Sequence, residues 1–335
     1  MTAIEITRTP PSWIARHLPG LALTFTIATV ATVAQRLTGI AALSPLVVAM
    51  VLGIGWRNLI GTADTARVGI TFSLRRILRF AIVLLGFQLT LLQLRQVGVP
   101  GLAVIAVTLA ATFCFTTWVG RLLGVEPRLT QLIAAGTSVC GASAVLATNT
   151  VTRGTDEDVA YAIACVTVFG SLAMLILPGL GGWLALDSGH YGIWIGASVH
   201  EVAQVVGAAF QHGPEAGQAG TVAKLSRVIL LAPLILTLGA LARRRGDDAQ
   251  GSAPMPWFVL GFIAVVLLNS VMPLPDAARG AVVTLTGFLL TVALAAMGLE
   301  TDIAKLRAKG IRPLALGAIA TGFIVTLALC LVHLV

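Results

Sequence analysis

The sequence predicts an all-α polytopic membrane protein of ten or eleven transmembrane helices, built from inverted repeats with discontinuous helices at the bilayer midplane. Three observations lead there. Of 335 residues, 57% are hydrophobic and 11% charged, with a mean hydropathy of +0.94. Apolar runs of about 20 residues, the length that crosses a bilayer as a helix, recur from end to end. Lysine and arginine collect in every second connection between those runs, the positive-inside pattern. Transmembrane strands would be about ten residues long and alternating, so continuous runs of this length require helices. No connection is long enough for a soluble domain, and residues 1–335 read as a single membrane transport domain with a cytoplasmic segment at 1–17.

In chain order the candidate spans cover 18–35, 42–60, 77–94, 98–120, 129–150, 158–180, 189–210, 221–242, 255–273, 280–299 and 311–334. With the N-terminus inside, the inner connections hold Arg8, Arg16, Arg57, Arg67, Arg75, Arg76, Arg79, Arg121, Arg128, Arg243, Arg244, Arg245, Lys305, Arg307, Lys309 and Arg312, which is 16 of the 22 basic residues. Arg36, Arg95, Arg153, Lys224, Arg227 and Arg279 fall outside, with the acidic cluster Asp156, Glu157 and Asp158. This places the C-terminus outside. The net charge of +8 is spread over short connections, which fits topology and gives no nucleic-acid face. Arg8 and Arg16 precede an apolar run with no small-residue cleavage site, which reads as an uncleaved signal anchor. The four cysteines, Cys114, Cys140, Cys165 and Cys330, lie in apolar runs without CxxC spacing, so no disulfide framework, metal site or cofactor is indicated.

The chain repeats itself. Residues 86–103 (GFQLTLLQLRQVGVPGLA) align without gaps on 298–315 (GLETDIAKLRAKGIRPLA), matching Gly86/Gly298, Leu94/Leu306, Arg95/Arg307, Gly98/Gly310, Leu102/Leu314 and Ala103/Ala315. Each phrase ends one span, turns at a glycine and starts another. The two turns fall on opposite sides, as an inverted repeat requires.

A second pair of phrases carries the candidate chemistry: GTSVCGAS from Gly136 to Ser143, and GASVHEVAQ from Gly196 to Gln204, matching at Gly136/Gly196, Ser138/Ser198, Val139/Val199 and Val145/Val205. Polar and ionisable residues at bilayer depth are costly unless paired or facing a wet cavity, so they mark a site. Gly136, Gly141, Gly196 and Gly207 weaken helix, and Thr137, Ser138, Cys140 and Ser143 supply polar groups. A break there exposes backbone N–H groups at a half-helix N-terminus suited to an anion; close packing through small residues is the alternative. His200 and Gln204, four apart, are expected on one helix face with Glu201 about 100° round. Glu201 or His200 would exchange a proton or bind a coupling cation, unless the group is a purely structural network. His-Glu-Val-Ala-Gln lacks the second histidine of a zinc helix. Lys224 and Arg227 form a basic face at the outer start of a span, able to neutralise an anion or Glu201, or else to snorkel. Asn149 and Asn269 read as helix–helix hydrogen bonds, and Glu300 and Asp302 as solvated loop charges. Both polar phrases run from inside to outside in this topology, whereas paired broken helices of an inverted repeat should oppose one another. Either one segment is re-entrant, or the phrases match because both need small residues.

With those residues in view, GTSVCGASAV, SVHEVAQVVGA, LLGFQL and AAMGLETDI resemble the YeiH-type family of bacterial inner-membrane proteins, often called sulfate exporters. The resemblance runs from about Leu43 onward. It implies a secondary transporter of the inner membrane, with an architecture distantly similar to cation/proton antiporters and bile-acid symporters and their crossed broken helices. The expected function is transport of a small anion, sulfate or an organosulfonate, coupled to H+ or Na+. Substrate-binding candidates are Gly136, Thr137, Ser138, Cys140, Gly141, Ser143, Ser198, Gln204, Lys224 and Arg227, and the coupling candidates are His200 and Glu201. No GxxxxGK[ST] motif is present to bind ATP. The competing readings are an intramembrane enzyme using His200 and Glu201, and a non-transporting scaffold or sensor. Association into a homo-oligomer is compatible with either class.

Overall fold

A computed structural model describes residues 12–38, 44–244, 257–272, 274–307 and 309–334. Arg8, Arg245, most of the N-terminal segment and the outer edges of several expected spans lie outside the described residues, as do the side chains at 92–97 and of Arg244 and Arg307. The chain is all-helical, with no strand among the described residues. Among the described residues six stretches are long and apolar enough to cross a membrane: Trp13–Thr38, Gly98–Leu122, Asp156–Trp183, Pro214–Arg243, Ala278–Glu300 and Ile311–Val332. Pro45–Leu59 and Trp257–Val271 are shorter apolar helices.

The helices are α1 (Trp13–Thr38), α2 (Pro45–Leu59), α3 (Asp64–Phe72), α4 (Leu78–Leu85), α5 (Leu91–Leu122), α6 (Pro127–Ser138), α7 (Ala142–Thr152), α8 (Asp156–Trp183), α9 (Ser188–Ser198), α10 (Val202–Ala209), α11 (Pro214–Ile229), α12 (Leu231–Arg244), α13 (Trp257–Val271), α14 (Asp276–Glu300) and α15 (Ile311–Val332). Three- or five-residue turns of tighter or wider helix join several of them.

The two polar phrases do not cross the bundle. The mouth of α6 lies beside the end of α7: Arg128 donates to Arg153 O at 3.2 Å, and Thr152 Oγ1 to Gln131 Oε1 at 3.1 Å. The mouth of α9 lies beside the end of α10, where Tyr191 donates to Ala208 O at 3.1 Å and stacks on His212 at 3.8 Å. Each phrase is therefore the tip of a re-entrant helical hairpin. α8 joins them, and at about 1.5 Å per residue its 28 residues extend about 42 Å, so the hairpins open at opposite ends of the bundle and meet tip to tip.

This corrects the expected topology in four places. The runs at 129–150 and 189–210 turn back instead of crossing, so the phrases are opposed and not parallel. Arg153 and the Asp156–Asp158 cluster move to the end that carries Arg128, where Lys309 bonds Asp158 at 2.6 Å. α11 starts at Pro214, so Lys224 and Arg227 lie at its middle and inner end rather than at the outer start of a span. Asp302 is not a free loop charge; it pairs with half-buried Arg57 at 2.8 Å, while Glu300 accepts from Thr71.

Two helix groups are evident. In one, α1 packs on α3 through Gly20 and Gly69, and α2 on α14 through Gly53 and Gly298, where a Cβ would overlap backbone atoms across the seam. α4 and α13 join this group through Gly86 and Phe262. The other group comprises α5–α12 and α15. Here α5 lies on α6 at Gly120 and Thr130, α8 backs the first hairpin at Gly136 and Val166, α15 receives Trp194 Nε1 of α9 at Val325 O, and α11 backs the second hairpin at Gly192, Gly196 and Gly220.

That arrangement is a pseudo-twofold in which α5, the first hairpin and α8 correspond to α15, the second hairpin and α11. The aligned glycines of the sequence repeat share one unusual backbone state, with φ 58° and ψ −175° at Gly98 and φ 80° and ψ −174° at Gly310. Both begin a helix, and both use a conformation that glycine alone adopts cheaply.

The hairpin topology has a direct test. In a background without native cysteines, single cysteines at Arg128 and Glu157 should react with an impermeant thiol reagent from one face of the membrane, and those at Asp187 and Glu215 from the other. Labelling of positions 128 and 157 from opposite faces would restore the crossing topology.

Candidate functional site

Both hairpins break at aligned residues. α6 ends at Ser138, the chain passes through Val139, Cys140 and Gly141, and α7 begins at Ala142. α9 ends at Ser198, the chain is extended at Val199 and Glu201, and α10 begins at Val202. Gly141 sits at φ 65°, which a side chain would strain, and Ala144 N and Val145 N both return to its carbonyl. His200 and Glu201 therefore precede α10 and do not share a helix face with Gln204, contrary to the expected continuous helix.

A break in mid-bundle leaves two half-helix C-termini and two N-termini among buried residues, with backbone groups that need partners. The C-terminal carbonyls are taken by α11. Lys224 Nζ donates to Val139 O at 2.7 Å and Val199 O at 2.9 Å, one carbonyl from each hairpin and the two aligned in sequence. Arg227 donates to Thr137 O (2.8 Å), Ser138 O (3.2 Å), Gly196 O (3.1 Å) and Val199 O (3.1 Å). Both side chains are 0% exposed.

The N-terminal side belongs to Glu201. Its Oε1 accepts from Ala142 N at 2.6 Å, so a carboxylate from the second hairpin caps the first helix turn of the other. Gly141 makes this possible, because a Cβ there would overlap that carboxylate. Gln204 Oε1 accepts from Glu201 N at 3.0 Å, and Gln204 Nε2 donates to Thr167 O and Ser171 Oγ of α8, which fixes the second tip from behind. Glu201 is half-buried and Ser143 beside it is exposed, so this face of the tips is accessible.

The remaining candidates are placed as follows. Ser138 and Ser198, aligned in sequence, donate back to Ala134 O and Trp194 O at 2.7 and 2.6 Å, so their hydroxyls serve their own helices. Cys140 is buried against Ala144 and Val202 in the apolar cluster around the tips. Gly136 packs on Val166 and Val145, and Gly196 on Gly220. Gly207 lies against Met174 and Leu294 and is a packing residue away from the tips. His200 is fully buried, with Nε2 at 3.3 Å from Thr321 Oγ1, while its Nδ1 has no partner among the described residues. Asn269 bonds Leu89 O, as a helix-joining amide should, and Asn149 caps the chain at Gly154. Among the described residues no group of three or more His, Cys, Asp or Glu side chains could hold a metal ion.

Charge balance follows from this geometry. Each helix end carries about half a unit charge, positive at N-termini and negative at C-termini, so the four ends cancel. Lys224 and Arg227 then stand against Glu201 alone, two basic groups to one acidic group. What sequence reasoning missed are main-chain groups and outer partners: the carbonyls of Thr137, Val139 and Val199, the Ala142 N–H, and Thr167, Ser171 and Thr321. No side-chain pattern signals the first set, and single Ser or Thr residues on distant helices carry no spacing cue for the second.

Comparison with known proteins agrees with the hallmark phrases. The family model described as conserved hypothetical protein 698 matches residues 19–317. The chain is 41% identical over 293 residues to a UPF0324 membrane protein of Bordetella bronchiseptica, covering 84% of this chain and 91% of that one. It is 39% identical over 332 residues to a UPF0324 membrane protein of Pseudomonas aeruginosa, 94% of each. It is 34% identical over 320 residues to the UPF0324 inner membrane protein YeiH of Escherichia coli K12, 92% of this chain and 91% of that one. A membrane protein with two opposed hairpins carrying GTSVCGASAV and SVHEVAQVVGA at their tips, this chain belongs to the UPF0324 family, the conserved hypothetical protein 698 family, of which YeiH is a member.

Proposed function

We propose that this chain is a secondary transporter of a small anion in the bacterial inner membrane, with its N-terminus cytoplasmic and its C-terminus outside. The cycle is coupled to H+ or Na+ and uses Glu201 as its titrating group. The observation that carries the reading is the Glu201 carboxylate seated 2.6 Å from Ala142 N at the mouth of a broken helix. A carboxylate held by a half-helix N-terminus stands where a free oxyanion of like chemistry would bind. Tips with two basic groups to one acidic group favour an anion over a cation. Protonation of Glu201 removes its charge from the seat and uncovers the N–H groups, so proton uptake and anion binding support each other. Inorganic sulfate and small organosulfonates have the matching oxyanion chemistry, and the resemblance to a family called sulfate exporters points the same way.

Thermal stability of the purified protein against a panel of anions tests this. A ligand that binds only the folded state at 100 times its Kd raises stability by about 2.7 kcal/mol, so sulfate or a sulfonate should raise the melting midpoint by several degrees, and more at acid pH. A panel without any stabilising anion would sink the reading.

Glu201→Gln should keep near-normal expression while anion binding loses its pH dependence and coupled transport stops; full pH-dependent transport by that variant would remove Glu201 from the role. Gly141→Ala forces strain of about 1–3 kcal/mol at a left-handed residue and displaces the carboxylate. It should therefore lower stability by about that amount and abolish the pH response together. A reporter fused after Val335 should be active only if it functions outside the cytoplasm; a cytoplasm-only reporter that is active there would invert the topology.

A further inference from the structure

Lys224 and Arg227 lie in the wrong place to bind substrate and in the right place to be something else. Neither forms an ion pair among the recorded salt bridges of the described residues, although both are 0% exposed. Their partners are backbone carbonyls at the C-terminal ends of two half-helices. In broken-helix transporters such carbonyls and helix ends are the usual ligands of a coupling Na+, because they offer neutral oxygens together with a negative dipole end. Here Lys224 Nζ joins the two aligned carbonyls, Val139 O and Val199 O, at 2.7 and 2.9 Å. Arg227 takes Thr137 O, Ser138 O and Gly196 O and shares Val199 O. The carbonyl cage is full, and both occupants are tethered to α11.

We propose that Lys224 is a built-in cation in the seat a coupling Na+ would take, with Arg227 closing the rest of the cage. The protein thus binds no Na+ where the two tips meet, and the proton on Glu201 is the coupling ion. This deepens the transporter reading and rests on it for the word coupling; the filled carbonyl cage itself stands on geometry alone. A tethered cation in the seat also makes a prediction about chemistry. Shortening Lys224 to Ala would leave two carbonyl oxygens facing a void shaped for an alkylammonium group, and a small monovalent cation should then bind where none does in the native protein.

The experiment is thermal melting of the purified full-length protein, wild type and variants, in chloride salts of choline, Na+ and methylammonium at equal ionic strength, with no substrate present. Wild type should melt at the same temperature in all three. Lys224→Ala should melt several degrees lower in choline and recover at least half of that loss in methylammonium. Lys224→Met, which fills the space without charge, should show the loss and no recovery. Stabilisation of the wild type by Na+ over choline would overturn the proposal, as would a Lys224→Ala protein that melts identically in all three salts. Where Lys224→Ala fails to fold, the wild-type comparison of Na+ with choline decides alone. Because chloride is the same in all three salts and no oxyanion is added, its failure is separate from failure of the anion panel: an empty panel with a Na+-insensitive wild type and a methylammonium-rescued variant would remove the transport reading and leave the filled cage in place.

Discussion

The contact between α11 and the two hairpin tips is what allows the rest of the architecture to exist. Four helix ends in the middle of a membrane bundle would each expose unsatisfied backbone groups, at a cost of several kcal/mol per group in hydrocarbon. Two buried cations without partners would be costlier still. At the two C-terminal ends each problem solves the other, because among the described residues Lys224 and Arg227 donate only to those carbonyls and together bond five of them. Removing one of the two cations leaves buried carbonyls unsatisfied, at about 1–3 kcal/mol for each. The reach of two side chains to both hairpins requires α11 to lie very close to α9, and glycines at 192, 196 and 220 remove the Cβ atoms that would hold the helices apart.

The tips are symmetric up to the point where chemistry demands otherwise. Val139 and Val199 present equivalent carbonyls to one ammonium, and Ser138 and Ser198 make equivalent bonds to their own helices. In the same alignment Gly141 stands opposite Glu201. One hairpin carries a carboxylate, and the other carries the empty space and the positive φ that receive it. Two carboxylates there would clash and repel, and two glycines would leave the Ala142 N–H without a cap. The two hairpins therefore differ at this pair of positions, and the contact of the Glu201 carboxylate with Ala142 N is the physical reason.

Much of this was legible in the sequence, for reasons that particular residues make clear. Composition and run length determine an all-helical membrane bundle, because lipid admits only helices and closed barrels, and continuous apolar runs of about 20 residues do not suit barrel strands. The two phrases could be singled out as a candidate site, since Glu201, His200, Lys224 and Arg227 have no cheap place in hydrocarbon. The re-entrant geometry was harder to see. An apolar segment of 26 residues from Pro127 to Thr152 fits one crossing as well as two half-crossings, and hydropathy does not record direction. The basic-residue bias counted Arg153 on the wrong side for that reason. A clue was present in the conflict between an inverted repeat and two parallel phrases, which re-entry of the chain at a phrase removes. Boundaries also misled at Lys224: the polar start of α11 from Pro214 to Gly220 reads as a loop, yet its small residues are what pack it against α9.

The order of the helices explains why the symmetry is faint when the sequence is laid against itself. In space α15 is the counterpart of α5, but it comes last in the chain, after α13 and α14 of the other helix group, whereas α5 directly precedes the first hairpin. The repeat is thus interrupted: the hairpins align with one offset, and the phrases around Gly98 and Gly310 align with another. Neither offset carries the whole unit, so each match is short and weak taken singly. What the second pair shares is backbone geometry at glycine, a positive φ at Gly98 and Gly310 just before a helix starts. Such positions resist substitution because a residue with a side chain adopts φ near 60–80° only with strain, so in a chain of interchangeable Leu, Val and Ala these two glycines are where the match stays legible.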